Sequence, residues 1–180
     1  QLLAVYQCTD GLLIDESPLF DPQNPFKNRD PRCAMTIVPF GSLEEGDGLL
    51  PSSGSIHLNI EYNPYPERKR IMDYSSGKLR TNNDTRSIIQ WASFNGLYWK
   101  KGIDQSYVDR KTDPDRLLMR YADVLLMYAE AKTELNQIDA SVLDAMNLVR
   151  ARAYNNGTYP KITTLNQAQL RKEVRYERRV

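Results

Sequence analysis

Tyr62, Tyr65 and Trp91, with Asn82, Asn83, Asp84 and Arg86 among them, are the side chains of this chain best suited to holding a ligand. A flat aromatic ring packs against the CH face of a sugar, while planar amide, carboxylate and guanidinium groups hydrogen-bond its hydroxyls in a shallow pocket. Trp91, Tyr62, Tyr65, Asn82 and Arg86 are therefore the candidate ligand-binding residues. A second reading uses the same aromatics for packing: Trp91 and Trp99, the only tryptophans of the chain, would anchor a core beneath the loop. Core anchoring is the first expectation for each tryptophan and a ligand platform the second.

Catalytic chemistry finds less support. The sequence has no GxSxG elbow, no GxxxxGK[ST] loop and no HExxH, and Gly46-Asp47-Gly48 lacks the strand and helix context of a phosphate loop. Glu44, Glu45 and Asp47 could in principle form a carboxylate pair, but they sit in turn-rich sequence, as a solvated acidic run would. His57 is the single histidine and there is no CxxC, so neither a zinc site nor a Cys–His pair can be assembled. Asp104, Asp109, Asp113 and Asp115 lack the spacing and central glycine of a calcium loop. Cys8 and Cys33 read as free thiols. The expectation is no catalytic residue, no metal and no cofactor.

Charge excludes a further class. The 24 Lys and Arg residues against 23 Asp and Glu leave a formal charge of +1, which gives no footprint for nucleic acid. The basic C-terminal stretch is interleaved with Glu173 and Glu177 at helical spacing and reads as a salt-bridged helix face. No window approaches the apolar run of a membrane-spanning helix, and the opening residues lack the pattern of an export signal.

The elements that must position these residues divide at about residue 112. Before it, Pro18, Pro22, Pro25, Pro31, Pro39 and Pro51 precede the pair Pro64 and Pro66, a density that breaks long helices. Residues 1–111 thus read as a loop-rich segment with short strands and the ligand-facing surface. "AMTIVPF" (34–40) is the best strand candidate, residues 62–87 read as a surface loop, and Asn95-Gly96 is a turn between two extended pieces. Residues 112–180 read as helical. Thr112 or Asp113 as N-cap and Pro114 at the first helical position start an αα-hairpin over 113–153. In its first helix Leu118, Tyr121, Leu125, Tyr128 and Leu135 form an apolar stripe, with Val124 and Ala131 beside them, so Tyr121 and Tyr128 are expected to pack. Asp139 caps the second helix, which carries Val142, Leu143, Met146, Val149 and Ala153. The linker "NQID" is short enough to force antiparallel neighbours. A last helix begins near Thr164, with Leu170 and Val174 apolar.

Several stretches together carry a resemblance. "DGLLIDESPLFDPQNPFKNRDPRCAMTIVPFG", "NNDTRSIIQWASFNGLYWKKGID", "DRLLMRYADVLLMYAEAKTELN", "NLVRARA" and "LRKEVRYERR" look, in this order, like the C-terminal half of SusD/RagB-family proteins. "YADVLLMYAEA" is the sharpest piece, and the order makes the short "NRDPR" and "VRARA" specific. The resemblance implies a mainly α fold of tetratricopeptide-like helix pairs beside a loop-rich, short-strand segment, of which this chain would be a fragment. It further implies a non-catalytic component of an outer-membrane, cell-surface uptake complex that binds an oligosaccharide or other nutrient. Such a protein hands its ligand to a SusC-like TonB-dependent transporter and is held to the membrane only by an N-terminal lipid anchor, expected to be absent from this chain. Neither Cys8 nor Cys33 lies in a lipobox. No binding residue transfers by motif. The alternative is a helical protein–protein interaction module with no sugar site.

Overall fold

The computed structural model describes residues 2–39, 69–73, 77–81, 97, 99, 101 and 117–180. Among these the chain is mainly α: α1 (Leu2–Val5), α2 (Pro31–Thr36), α3 (Tyr121–Glu134), α4 (Ala140–Ala153) and α5 (Gln167–Arg179), with the strands β1 (Arg70–Asp73) and β2 (Lys78–Thr81). The chain forms two compact units. One holds residues 1–19, 30–32 and 115–180, the other residues 20–29 and 33–114.

The first unit is built on α3, α4 and α5, with α3 packed against both of the others. Leu126 and Ala129 of α3, Val142 and Met146 of α4, Leu170 and Val174 of α5, and Ile162 from the α4–α5 connection form one buried cluster. Ile162 is placed there by Asn147, whose amide both donates to the Ile162 carbonyl and accepts from its N–H, at 2.9 Å each. The connection itself is non-helical there, and the backbone groups of Ile162 are satisfied from α4.

Local chemistry sets the helix boundaries. Asp139 caps α4 as expected, accepting from the Ser141 N–H at 3.0 Å. Asn166, accepting from the Gln169 N–H at 3.0 Å, caps α5, so that helix begins at Gln167 rather than near Thr164. The start of α3 also differs from expectation. Residues 117–120 are not helical, and Arg120 is extended at φ −115 and ψ 155. The Arg120 N–H donates to Asp123 Oδ2 at 2.8 Å, which starts the helix at Tyr121. An arginine side chain has no acceptor, so Arg120 carries no N-cap signal of its own. The proposed caps Thr112 and Asp113 lie outside the described residues.

Most of the stripe predicted to pack on α3 faces the other way, Leu125 alone being half-buried. The buried face is Leu126, Ala129 and Thr133, at spacings i, i+3 and i+7, whereas Tyr121 is 70% exposed, Leu118 90% and Leu135 66%. Tyr128 is also exposed and hydrogen-bonds Ser141 Oγ at 2.7 Å. α3 has two apolar stripes, and small Ala129 and Thr133 admit the neighbouring helices on one of them. Thr133 satisfies its buried hydroxyl by donating back to the Ala129 carbonyl at 2.7 Å. On α4 the expected residues do face the core: Val142, Met146 and Ala153 are buried, with Leu143 and Val149 packed against the cluster.

In the second unit the expected strand at 34–40 is corrected, because residues 31–36 form α2. Pro31 occupies the first helical position, and Asp30 accepts from the Arg32 N–H at 2.9 Å, an N-cap that outweighs the β-branched Thr36, Ile37 and Val38. Among the described residues, extended pairing of this stretch is an isolated antiparallel bridge between Ile37 and Trp99. Cys33, Thr36, Ile37 and Val38 are buried. The loop expected over 62–87 contains the hairpin β1–β2, paired from Arg70 with Thr81 to Asp73 with Lys78. Gly77 stands at φ +66 immediately before β2, a backbone state that glycine enters without penalty. The short strands lack an alternating pattern, which hid them.

Candidate functional site

Tyr62, Tyr65, Asn82, Arg86 and Trp91 lie outside the described residues, as do the turn at Asn95-Gly96 and His57. Trp99 is described, and it is not a core anchor. Its side chain stands 58% exposed while the backbone pairs with Ile37. The indole N–H donates to the Lys101 carbonyl at 2.6 Å. The polar edge of the ring is therefore occupied within the chain, while the residue as a whole stays largely exposed. That is the form of aromatic that stacks on a flat apolar face and has little else to offer.

The charged residues of the first unit form a different kind of cluster. Glu177 is 3% exposed, Arg150 4% and Asp30 2%. Arg150 donates through Nε to Glu177 Oε1 at 2.6 Å, through Nη1 to the Pro160 carbonyl at 2.8 Å and through Nη2 to Glu173 Oε2 at 2.8 Å. Arg32 grips both oxygens of Asp30, with Nη2 to Oδ2 at 2.6 Å, and reaches Glu177 Oε2 through Nη1 at 2.7 Å. Gln7 joins the cluster from the N-terminal segment. Its N–H donates to the Tyr176 hydroxyl at 2.9 Å, and its carbonyl accepts from the Asp30 N–H at 2.9 Å. Asp30 and Arg32 belong to "NRDPR", Arg150 and Asn147 to "NLVRARA", and Glu173 and Glu177 to "LRKEVRYERR". Three short stretches distant in sequence thus meet as one hydrogen-bonded lock.

This lock holds structure and does no acid–base work. Burial alone would lower the Arg32 pKa, but its bonds to Asp30 and Glu177 outweigh burial and raise it. Arginine carries no exchangeable role near neutrality. Burial likewise pushes the Tyr154 and Tyr176 phenols well above their ordinary range, so both stay protonated. Both carboxylate oxygens of Glu177 are bonded, and neither is left for a substrate.

A second polar group sits at the α3–α4 turn, where Lys132 Nζ lies 3.3 Å from Ser141 Oγ. A serine activated by lysine requires a neutral amine. Here the Lys132 pKa is raised, first by its bond to Asp139, so the amine stays charged and cannot take the serine proton. Asp139 is itself drawn down to about 2 by Lys132 and by Ser141. The group is a helix cap with a counter-ion. Among the described residues no three His, Cys, Asp or Glu side chains gather as metal ligands, and no helix is long and apolar enough to cross a membrane. Cys8 and Cys33 are buried and are not joined in a disulfide.

Sequence reasoning placed Glu173 and Glu177 on a salt-bridged helix face; both are ion-paired, but with Arg150 and Arg32 rather than with arginines of their own helix, and Glu177 is buried. A signal was present. Leu170, Val174 and Glu177 share one stripe at i, i+4 and i+7, as do Val142, Met146, Arg150 and Ala153, so Glu177 and Arg150 occupy core positions. Arg171 and Arg178 of α5 form ion pairs across to α3: Arg171 forks onto Glu134 with two bonds of 2.7 Å, and Arg178 lies 3.2 Å from Glu130.

Comparison with known proteins adds an independent finding. The sequence model of the SusD family matches residues 1–180. A solved SusD-like carbohydrate binding protein from Bacteroides fragilis is similar to this chain at 30% identity and a TM-score of 0.61, over 99% of this chain. The match covers 31% of that protein, so this chain spans about a third of its length. No protein of curated function matches.

Proposed function

Since the chain belongs to the SusD family, we propose that it is part of a non-catalytic, glycan-binding component of an outer-membrane uptake complex. The observation that carries the proposal is the likeness, over nearly the whole chain, to a protein described as carbohydrate binding. The protein is lipid-anchored at the cell surface and passes an oligosaccharide to a SusC-like TonB-dependent transporter. Family membership supports this placement and partner. The loop-rich segment 1–111 carries the ligand surface, formed by Trp91, Tyr62, Tyr65, Asn82 and Arg86, and helices within 112–180 form its scaffold. Trp99 adds an exposed indole to that surface, supported by its occupied N–H and its exposure.

A glycan-array screen of the complete protein, repeated with Trp91→Ala and with Trp99→Ala, tests the reading. Selective binding that either variant loses while keeping its melting temperature is the expected result. Truncating a buried tryptophan would instead cost about 3–5 kcal/mol of stability. Such a loss, with glycan binding intact, would return the aromatics to the core. Absence of binding to every glycan by the parent protein would overturn the carbohydrate assignment.

A further inference from the structure

The connection from α4 to α5 opens with "YNNGTYPK", residues 154–161, a turn whose backbone is fixed and whose side chains are left unengaged. The N–H groups of Tyr154, Asn155 and Asn156 donate to the Arg150, Arg152 and Ala151 carbonyls, and that of Gly157 to the Tyr154 carbonyl. Further on, Arg150 holds the Pro160 carbonyl, and Pro160 lies so close to Gly11 that a Cβ there would come within 2.9 Å of it. Asn155 and Asn156 stand at φ 51 and 57, in the left-handed region that asparagine tolerates better than most residues with a Cβ.

On this frame Asn155, Asn156, Thr158 and Lys161 are exposed, and Tyr154 and Tyr159 are half-buried. The two tyrosine rings are tilted by 42° with centroids 6.3 Å apart, and the Lys161 ammonium lies 5.9 Å from the centre of the Tyr159 ring. Among the described residues neither amide, neither phenol nor the Thr158 hydroxyl has a hydrogen-bond partner. At the α3–α4 turn, by contrast, Tyr128, Lys132, Asp139 and Ser141 bond one another. Reversal of the chain at 154–161 uses the backbone alone, so the side chains are available to a ligand. Because the turn is already ordered, little conformational freedom is lost when one binds.

We infer that this turn is a second glycan-contacting site, carried by the helical unit and separate from the surface assigned to residues 1–111. Tyr154 and Tyr159 pack against the CH face of a sugar, and the Asn155 and Asn156 amides bond its hydroxyls. Lys161 is the only charged residue of the turn, so selection is by shape and hydroxyl pairing rather than by charge. The inference rests on the carbohydrate reading above and adds a site to it.

Thiol footprinting of the complete protein tests the site, with Thr158→Cys as reporter in the turn and Lys172→Cys as an exposed control on α5. A panel of neutral and uronate-bearing oligosaccharides serves as probe, and the labelling of Cys8 and Cys33 in the parent is subtracted. With a sugar that the parent binds, labelling of Thr158→Cys is expected to slow at least about fivefold while Lys172→Cys keeps its rate. Removing the two amides with Asn155→Gly and Asn156→Gly should then raise the sugar concentration needed for protection about tenfold. Glycine keeps the left-handed backbone, and Tyr159→Ala supplies the same measurement should that variant fail to fold. Unchanged labelling of Thr158→Cys by a sugar that the parent binds would overturn this site and leave the carbohydrate reading standing. Equal slowing at Lys172→Cys, or protection that the amide and tyrosine variants leave unaltered, would also overturn it. A parent that binds no member of the panel overturns both the site and the carbohydrate reading.

Discussion

Two sets of ion pairs flank α5, alike in chemistry and unlike in consequence. On one side Glu177, Arg150, Arg32 and Asp30 are buried and mutually saturated; on the other Arg171 with Glu134 and Arg178 with Glu130 lie in water at the helix rim. Water screens the second set, so each of its pairs contributes little. The first set cannot lose one member without stranding another. Burial turns an ordinary charge pair into an obligatory part of the fold.

Removing Glu177 should therefore have the largest effect. Glu177→Ala leaves Arg150 and Arg32 buried without their shared carboxylate, and breaking such a pair costs about 3–5 kcal/mol. Denaturant unfolding of the complete protein measures it; a loss below that of a surface substitution would erase the contrast between the two sets. The backbone side of the same lock is tested by Gly11→Ala. Gly11 stands at φ +85 with its missing Cβ only 2.9 Å from Pro160 Cβ, and the Pro160 carbonyl is the one Arg150 holds. Left-handed backbone without glycine costs about 1–3 kcal/mol, and a lower Tm of that order is expected.

The exposed pairs, at the rim and at the α3–α4 turn, should respond least and mainly to pH. The bond to Arg171 lowers the Glu134 pKa, and Lys132 and then Ser141 draw Asp139 from 3.8 to about 2. A depressed carboxylate stabilises the fold above its unfolded pKa and loses that contribution as pH falls through its folded pKa. The contribution of Asp139 is thus complete above about pH 4 and disappears towards about pH 2. Asp139→Asn should flatten the fall of Tm across that window, while Glu134→Gln at neutral pH should change Tm least, and less still in high salt. An undiminished acid slope in Asp139→Asn would place the titration elsewhere.

The helices were legible in the sequence because their signals are local. Asp139 and the stripe of Val142, Met146 and Ala153 are read from neighbours along the chain. The face of α3 was not, since two stripes compete and only the tertiary partners choose between them. α2 was missed because the β-branched Thr36 and Ile37 argue for a strand, whereas Asp30 and Pro31 fix a helix start a turn earlier. Of the lock, only the ion pairing of Glu173 and Glu177 was read; that Glu177 and Arg150 stand on apolar stripes was passed over, and their mutual partnership and that with Arg32 spans the chain. Trp99 was legible as an aromatic and not as an exposed one, because exposure depends on what the fold leaves uncovered. The residues proposed to bind ligand, Tyr62, Tyr65, Asn82, Arg86 and Trp91, rest on residue type and loop placement.

The most direct test of the account pairs Trp99→Ala with Glu177→Ala in the complete protein, measuring both melting temperature and affinity for a glycan identified on the array. A crossed result is expected. Trp99→Ala loses affinity at unchanged Tm, and Glu177→Ala loses Tm while keeping affinity well below its transition. Retained affinity with a collapsed Tm in Trp99→Ala, or lost affinity in a fully folded Glu177→Ala, would contradict the division of an indole-bearing ligand surface from a charge-locked helical scaffold.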